Sequence, residues 1–379
     1  MSDVSYPSIP RPPYALDTPS DAIHYLMERR FLTGGSAVTQ DASVSELSRR
    51  NRIFTVSERN GPSYFLKQSY SGVRTKSVAM EAQVYKFFAR LTEARLLNAY
   101  IPRYYHFDAE NDVLLLQYYP SAPNLWTYHL ARTGYSRTLA RALGTALGVI
   151  HRVAAIGRLD QEQRHILPEL KSSVIPLYHR PSSQLLREVG SGALELIKMI
   201  HSSPLLCERT EALRADWEVA SLIHRDLKFD NCLAYSRSGS QRKSRIKIVD
   251  WEFGGFGDPC WDTASIISDY LLFWLQSLPL RGDEHSGDFL DLATKALYQK
   301  RPPIHAFLES YFKALQVDEP KVTERLEKTG RFLSGKLIDT AINLVRESEQ
   351  PTYQSIALLQ LAANISENPE IARRLIFGL

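Results

Sequence analysis

Two short segments hold the groups best suited to chemistry: His224 to Asn231, which reads HRDLKFDN, and Ile248 to Pro259, which reads IVDWEFGGFGDP. Moving a phosphoryl group off a nucleotide is catalysed mainly by placed charge, because the transferring and leaving groups carry negative charge that must be neutralised where it develops. Asp226 is expected to orient and deprotonate an acceptor hydroxyl. Asn231 and Asp250 offer an amide oxygen and a carboxylate, hard donors of the kind Mg2+ accepts beside phosphate oxygens and water. Lys228, two positions after Asp226, supplies a cation for the transferring group, and His224 is expected to support the loop by hydrogen bonding. The chemistry these residues spell together is metal-assisted phosphoryl transfer.

Taken singly, each has a commoner explanation: Asp226 as a turn residue, Asn231 as a turn or cap, Asp250 as a strand-end carboxylate. Their order and surroundings decide otherwise. Val219 to Ile223, Cys232 to Tyr235 and Ile246 to Val249 read as short buried strands, so a strand–loop–strand–loop succession sets both acidic sites at strand ends. Asp258 is expected to hold the second loop and Asp262 to cap the helix that follows it.

The two segments resemble the aminoglycoside phosphotransferase and choline kinase-like branch of the protein-kinase fold. Gly257-Asp258-Pro259, then Trp261-Asp262 and an apolar run from Thr263, carry that resemblance; Asp250-Trp251-Glu252 stands where protein kinases have Asp-Phe-Gly, and no Ala-Pro-Glu motif follows. Arg225 and Lys228, by contrast, are similar to the serine/threonine protein kinases. The resemblance implies an α+β, protein kinase-like bilobal fold with a small antiparallel β N-lobe and a mainly helical C-lobe. The expected division is a disordered Pro-rich start over 1–18, a nucleotide-binding N-lobe over 19–119 and a C-lobe over 120–379 that contains the catalytic and metal-binding loops and the acceptor site.

Ser43 to Leu47, Arg52 to Glu58 and Tyr64 to Gln68 read as strands of the small lobe, with Asn60-Gly61-Pro62 as the turn between the last two. By the resemblance, Lys67 is the lysine that contacts nucleotide phosphates, and Glu81, in the helical run Val78 to Leu91, is the carboxylate that orients it. The turn Ser48 to Asn51 has no glycine, so Arg49 and Arg50 are expected to take over the contact with phosphate that backbone N–H groups make elsewhere. Gly34-Gly35 is expected to end the amphipathic helix that contains Ile23, Leu26 and Met27. Val113 to Tyr118 leads to Pro120, and the backbone from Gln117 to Tyr119 is expected to read the adenine edge.

Beyond Pro120 the pattern is helical. Leu139, Leu143, Leu147 and Ile150 predict a buried helix over Arg137 to Val153, and further helices are expected from Thr263 to Leu278 and over Gly192 to Ile200, Ile304 to Leu315, Val322 to Arg346 and Thr352 to Ala363. The acceptor site is expected to be shaped by the insert from Arg158 to Asp216. With 44% hydrophobic residues in 379, the chain can bury a sizeable core. Its three cysteines have no metal-site spacing and form no disulfide framework, which points to a reducing, cytoplasmic setting. No signal-peptide pattern or membrane span is read from it.

A net charge of +4 without an aromatic-interleaved basic stripe speaks against nucleic acid as a partner. The basic run Gln241 to Lys247 is read as a solvated hairpin. The expected activity is transfer of the γ-phosphate of ATP, with GTP as the alternative donor and Mg2+ as cofactor, to a hydroxyl of a small molecule such as an aminoglycoside or an amino alcohol. Two other readings stand beside it: a kinase for Ser or Thr of a peptide, including one whose phosphate is later eliminated, and a non-catalytic nucleotide-binding scaffold, against which Asp226, Asn231 and Asp250 argue. The acceptor and the oligomeric state are not legible.

Overall fold

The computed structural model describes residues 14–33, 42–47, 51–59, 61–69, 77–132, 134–235, 245–278 and 286–378, with side chains between 286 and 300 left aside. The chain divides into two compact units, one formed by Met1–Ala122 with Lys247–Gly254, the other by Pro123–Ile246 with Gly255–Leu379.

Five strands build the sheet of the first unit: β1 Ala42–Glu46, β2 Asn51–Glu58, β3 Ser63–Ser69, β4 Tyr104–Asp108 and β5 Val113–Gln117. They pair antiparallel throughout, in the spatial order β1-β2-β3-β5-β4. The two-residue period of a strand sorts the side chains. Phe54 and Val56, Tyr64 and Leu66, and Val113 and Leu115 turn to one face, where they form a core with Ala22, Tyr25 and Leu26 of the helix Pro19–Glu28. Thr18 starts that helix with a capping box to Asp21, and Pro19 fits the first turn, where its missing N–H costs nothing. Leu16 is fully buried in the same core, and its N–H donates to Gln68 Oε1 at 2.8 Å, so the chain from Tyr14 onward belongs to this unit and is not part of a disordered start.

Lys67, between Leu66 and Gln68, turns to the opposite face of the sheet, level with Ile53 and Leu114. That face meets the helix Ser77–Arg90, which buries Val78, Glu81, Val84 and Phe88. The returning segment Lys247–Gly254 is bound into this unit: Ile248 N–H donates to Tyr100 O at 2.7 Å, and the fully buried Trp251 meets Phe88 edge-on with ring centres 5.0 Å apart. Lys247 departs from the expected solvated hairpin. It is buried, and its ammonium donates to the carbonyls of Asn98 (2.5 Å) and Ile101 (2.8 Å).

The second unit is mainly helical. Its long helices are Arg137–Val153, Ser191–His201, Pro204–Ala215, Pro259–Gln276, Ser286–Leu315, Glu319–Leu344 and Tyr353–Glu367. The first of them packs on Ser286–Leu315 at very close range: a Cβ on Gly144 would lie 2.1 Å from Phe307 O, and one on Gly148 would lie 2.4 Å from Tyr311 O. Both glycines therefore serve helix approach. A short antiparallel pair, β6 Ser221–Ile223 with β9 Gly255–Gly257, holds the two chemistry-bearing segments in register. β7 Cys232–Tyr235 follows the loop that begins after β6, and β8 Arg245–Ile248 is where the chain passes back to the first unit.

The fold class is the one expected, an antiparallel small sheet unit and a mostly helical partner. Three elements differ from the sequence expectation. β4 was not anticipated, because a register shift between Tyr104 and His106 breaks the alternation that would mark it. Pro204–Ala215 has a weakly one-sided face, although Ser203 caps it and Pro204 opens it. Ser286–Leu315 runs straight through Pro302-Pro303, where a helix was expected to begin. No helix among the described residues is long and apolar enough to cross a membrane.

Candidate active site

The expected site residues fall into two groups, one in each unit. In the first unit the Lys67 ammonium donates to Glu81 Oε2 at 2.8 Å, Asp250 Oδ1 at 2.7 Å and Glu252 Oε2 at 2.9 Å. Three N–H donors meet three carboxylates, so the hydrogen-bonding capacity of the ammonium is filled. The lysine side chain is only 4% exposed and that of Glu81 2%, whereas Asp250 is open at 38%.

Sheet, helix and loop each contribute to this arrangement. β3 aims Lys67 at the helix Ser77–Arg90, and that helix places Glu81 beneath it. Asp250 follows β8 with φ of 66°, a left-handed conformation that is uncommon for any residue but glycine. Between the two loop carboxylates Trp251 is anchored, its indole N–H donating to Ile248 O at 3.1 Å.

Three carboxylates around one ammonium leave an excess of negative charge. Burial pulls the Lys67 pKa down, but Glu81, Asp250 and Glu252 outweigh it and raise the value, so the ammonium stays charged. For Glu81, burial raises the carboxyl to about 7 and the charges of Asp250 and Glu252 add to this, with Lys67 opposing. The oxygens of Glu81, Asp250 and Glu252 lie within 4.8 Å of one another. Such a set of hard donors fits a divalent cation. Glu252 was not among the expected site residues; its signal was its place two positions after Asp250, across a tryptophan that had to be buried.

In the second unit the loop from His224 to Asn231 is tied down by its backbone. His224 is fully buried; its N–H donates to Asp262 Oδ2 at 2.6 Å, and Arg225 N–H to Oδ1 at 2.9 Å. Arg225 itself has φ of 70°. Phe229 N–H donates to Asp269 Oδ2 at 2.5 Å. Asn231 donates its side-chain N–H to Asp226 O at 2.9 Å, which leaves Oδ1 as the atom the amide can offer to a cation. Lys228 pairs with Asp226 Oδ2 at 2.8 Å, with both side chains more than a third exposed. Asp226, Lys228 and Asn231 are thus gathered on one loop.

The roles of the two later aspartates are the reverse of those expected. Asp258 is the cap of Pro259–Gln276, accepting from Cys260 N–H at 3.0 Å, and it also accepts from Glu218 N–H and pairs with Lys328. Asp262, one turn inside the helix, is the residue that holds a loop, the one carrying His224. Asp269 was not foreseen; burial raises its carboxyl to about 7. It lies two helical turns beyond Asp262, on the same face.

Of the remaining candidates, Gln117 ends β5 and accepts from the Tyr119 hydroxyl at 2.9 Å. The N–H groups of Gln117 and Tyr118 donate to Arg103 O and Ser63 O. A ligand edge could engage those two amides only by displacing these bonds. Arg49 and Arg50, together with Gly34-Gly35, lie outside the described residues.

Three solved structures are similar to this chain over most of its length. A choline kinase from Cryptosporidium parvum Iowa II has a TM-score of 0.52 at 14% identity, covering 94% of this chain and 98% of its own. A choline/ethanolamine kinase family protein from Mesorhizobium loti gives 0.49 at 16%, with 94% and 97% covered. An amicoumacin kinase in complex with AMP-PNP and Ca2+ gives 0.49 at 13%, with 91% and 96% covered. Among curated proteins, no sequence matches. The profile of the phosphotransferase enzyme family matches residues 44–287, which run from within β1 through β9 and take in the lysine cluster and the loop held by Asp262 and Asp269. By that match the chain belongs to the phosphotransferase enzyme family and is a kinase of hydroxyl groups.

Proposed function

We propose that this enzyme transfers the γ-phosphate of ATP to a hydroxyl of a small molecule of the amino sugar or amino alcohol kind. The observation that carries the reading is Lys67 held by Glu81, Asp250 and Glu252 at 2.7 to 2.9 Å. A buried, oriented ammonium is what negatively charged phosphates need. The motif resemblance from Asp226 to Asp262 supports the acceptor class.

Lys67, oriented by Glu81, would take the nucleotide phosphates; Asp250 and Asn231 are the residues that would hold Mg2+, with Glu252 as a further carboxylate for the same charge. Magnesium, when bound, supplies neutralisation of charge on the β- and γ-phosphates. Asp226 orients the acceptor hydroxyl and receives its proton. Lys228 sits on that carboxylate at 2.8 Å and offers its charge to the transferring group. His224 acts through the loop by way of its backbone bond to Asp262. In this reading Arg49 and Arg50 are assigned to the phosphates by their place in the sequence alone, and the base to the backbone of Gln117 to Tyr119, where it would have to displace the bonds that the Gln117 and Tyr118 amides make.

The Lys228–Asp226 ion pair is also the observation that keeps a Ser or Thr peptide acceptor as the second reading. The test is Mg2+-dependent transfer from γ-labelled ATP to aminoglycosides, choline-like amino alcohols and Ser/Thr-rich peptides, with wild type and Asp226→Ala. Transfer to a small-molecule class that Asp226→Ala abolishes is the expected result. Transfer to peptides alone would replace the acceptor assignment, and full turnover by the variant would remove Asp226 from its role.

A further inference from the structure

The Lys67 ammonium has three N–H donors, and Glu81, Asp250 and Glu252 take all three at 2.7 to 2.9 Å. A phosphate oxygen therefore cannot bond to this ammonium unless a carboxylate lets go of it. All four groups belong to the first unit, so the exchange of partners is decided within it.

Exposure and anchoring indicate which contacts yield. Glu81 stands on the helix Ser77–Arg90 with its side chain 2% exposed, while that of Glu252 is 11% and that of Asp250 38% exposed. The loop carboxylates thus form the open side of the cluster. Their loop is held by its own turn: Trp251 is fully buried with its indole N–H on Ile248 O, and Gly254 N–H donates to Trp251 O at 3.0 Å. A Cβ on Gly254 would lie 3.1 Å from both Trp251 O and the Val84 side chain, so the turn is packed against the same helix. Lys67 extends instead on a flexible four-carbon stem from a strand paired on both sides. The ammonium is the movable member of the cluster.

Fixed loop carboxylates and a movable ammonium make the cluster a choice between cations. The oxygens of the three carboxylates lie within 4.8 Å of one another, gathered about Lys67 Nζ. A divalent ion that takes more than one of them, at about 2.0–2.6 Å, comes up against the ammonium. Like charges at such range repel strongly where water is partly excluded. An ammonium drawn toward phosphate while keeping Glu81 relieves that repulsion and returns Asp250 and Glu252 to the ion.

We propose that Lys67 is a built-in counter-cation of the metal-binding carboxylates, drawn off by nucleotide phosphates, so that a divalent ion binds together with the nucleotide and not ahead of it. This order rests on the assignment of Lys67 to the nucleotide phosphates. The experiment follows Mn2+ binding to the full chain by electron paramagnetic resonance of the free ion, with and without saturating ADP, for wild type and Lys67→Met. Chelation of Mn2+ by ADP is measured in buffer alone and subtracted, ADP binding is read by calorimetry, and circular dichroism checks the fold of the variant. Without nucleotide, Lys67→Met is expected to bind Mn2+ at least about tenfold more tightly than wild type, because the competing cation is gone. In wild type, ADP is expected to tighten Mn2+ binding at least about tenfold beyond chelation, an effect that Lys67→Met lacks. Equal or weaker Mn2+ affinity in a folded Lys67→Met overturns the proposal. Should the variant not fold, wild type decides alone: Mn2+ and ADP that each saturate without influence on the other overturn the counter-cation role while leaving the nucleotide reading in place. Wild type that binds no ADP overturns both.

Discussion

Asp262 and Asp269 project from the same face of one helix, two turns apart, and both accept backbone N–H groups from the loop that carries Asp226. Two rigidly spaced carboxylates thereby set the path of the loop at its beginning and at its middle. A bond from a backbone amide to a charged or buried carboxylate contributes about 1.5–3 kcal/mol, and an amide left unsatisfied costs a comparable amount. Asp262→Ala orphans two amides and should lower kcat at least about a hundredfold with a smaller change in the nucleotide KM. Asp269→Ala orphans one and should cost about tenfold, with Asp269→Asn restoring most of the loss because an amide oxygen still accepts. Steady-state kinetics on the three variants separates loop positioning from direct chemistry, since a directly acting carboxylate would not be replaced by asparagine.

The contact between Lys67 and Glu252 makes a separate prediction. Glu252 is 11% exposed and shares the ammonium with Glu81 and Asp250, so Glu252→Gln removes one negative charge while keeping an acceptor at 2.9 Å. Folding should be unaffected or slightly favoured, because repulsion within the cluster falls. Turnover should drop about ten- to a hundredfold, and the Mg2+ concentration for half-maximal rate should rise. Lys67→Met should be harmful in both respects: with the ammonium gone, three carboxylates face one another, and breaking a buried pair in this way costs about 3–5 kcal/mol. Denaturant unfolding and Mg2+ titration of activity check the two variants.

What could be read from the residue string follows from which physical signals are local. The elements that carry Lys67, Glu81, Asp226, Asn231 and Asp250 were legible because strand, turn and helix signals flank each of them; the roles expected of Lys67 and Glu81 came from the resemblance. Arg137–Val153 was bounded to the residue because its apolar spacing is regular throughout. Asp262 and Asp269 act through backbone amides of a loop about forty residues earlier in the chain, a partnership that their own helix does not announce, and Glu252 had only its place two positions after Asp250 to mark it. The exchange of roles between Asp258 and Asp262 arose because Pro259 at the first helical position moves the cap back to Asp258. Lys247 looked like part of a solvated basic run, yet its two carbonyl partners, Asn98 and Ile101, come from a remote turn.

Stability and pH are linked through Glu81. Its carboxyl sits at about 7 in the folded state against 4.5 for the ordinary side chain, so the folded chain holds this proton more tightly than the unfolded one. The contribution is fully present below about pH 4.5 and is lost as pH rises through about 7. Glu81→Gln cannot titrate, and its stability relative to wild type should therefore rise between pH 4.5 and 8, by no more than about 3 kcal/mol at one unit per 1.36 kcal/mol. Denaturant midpoints of both proteins across that range test the sign; a flat difference would place the proton elsewhere in the cluster.

The closest backbone approach in the helical unit gives a prediction independent of catalysis. Gly144 faces Phe307 O so tightly that a methyl group would lie 2.1 Å away, and the next neighbour, Tyr311 N, is also backbone at 3.0 Å. Backbone of a regular helix cannot swing aside as a side-chain tip can, so the two helices would have to separate. Helix propensity alone favours alanine over glycine by about 1 kcal/mol, but overpacking of this kind costs about 1–3 kcal/mol or more. Gly144→Ala should therefore lower the thermal midpoint by several degrees. The same change at Gly157, which has nothing within 4 Å of its would-be Cβ, should leave it within about 1 kcal/mol of wild type. Thermal melts of the two variants decide between close packing and propensity, because propensity alone would stabilise Gly144→Ala and leave Gly157→Ala, outside any long helix, unchanged.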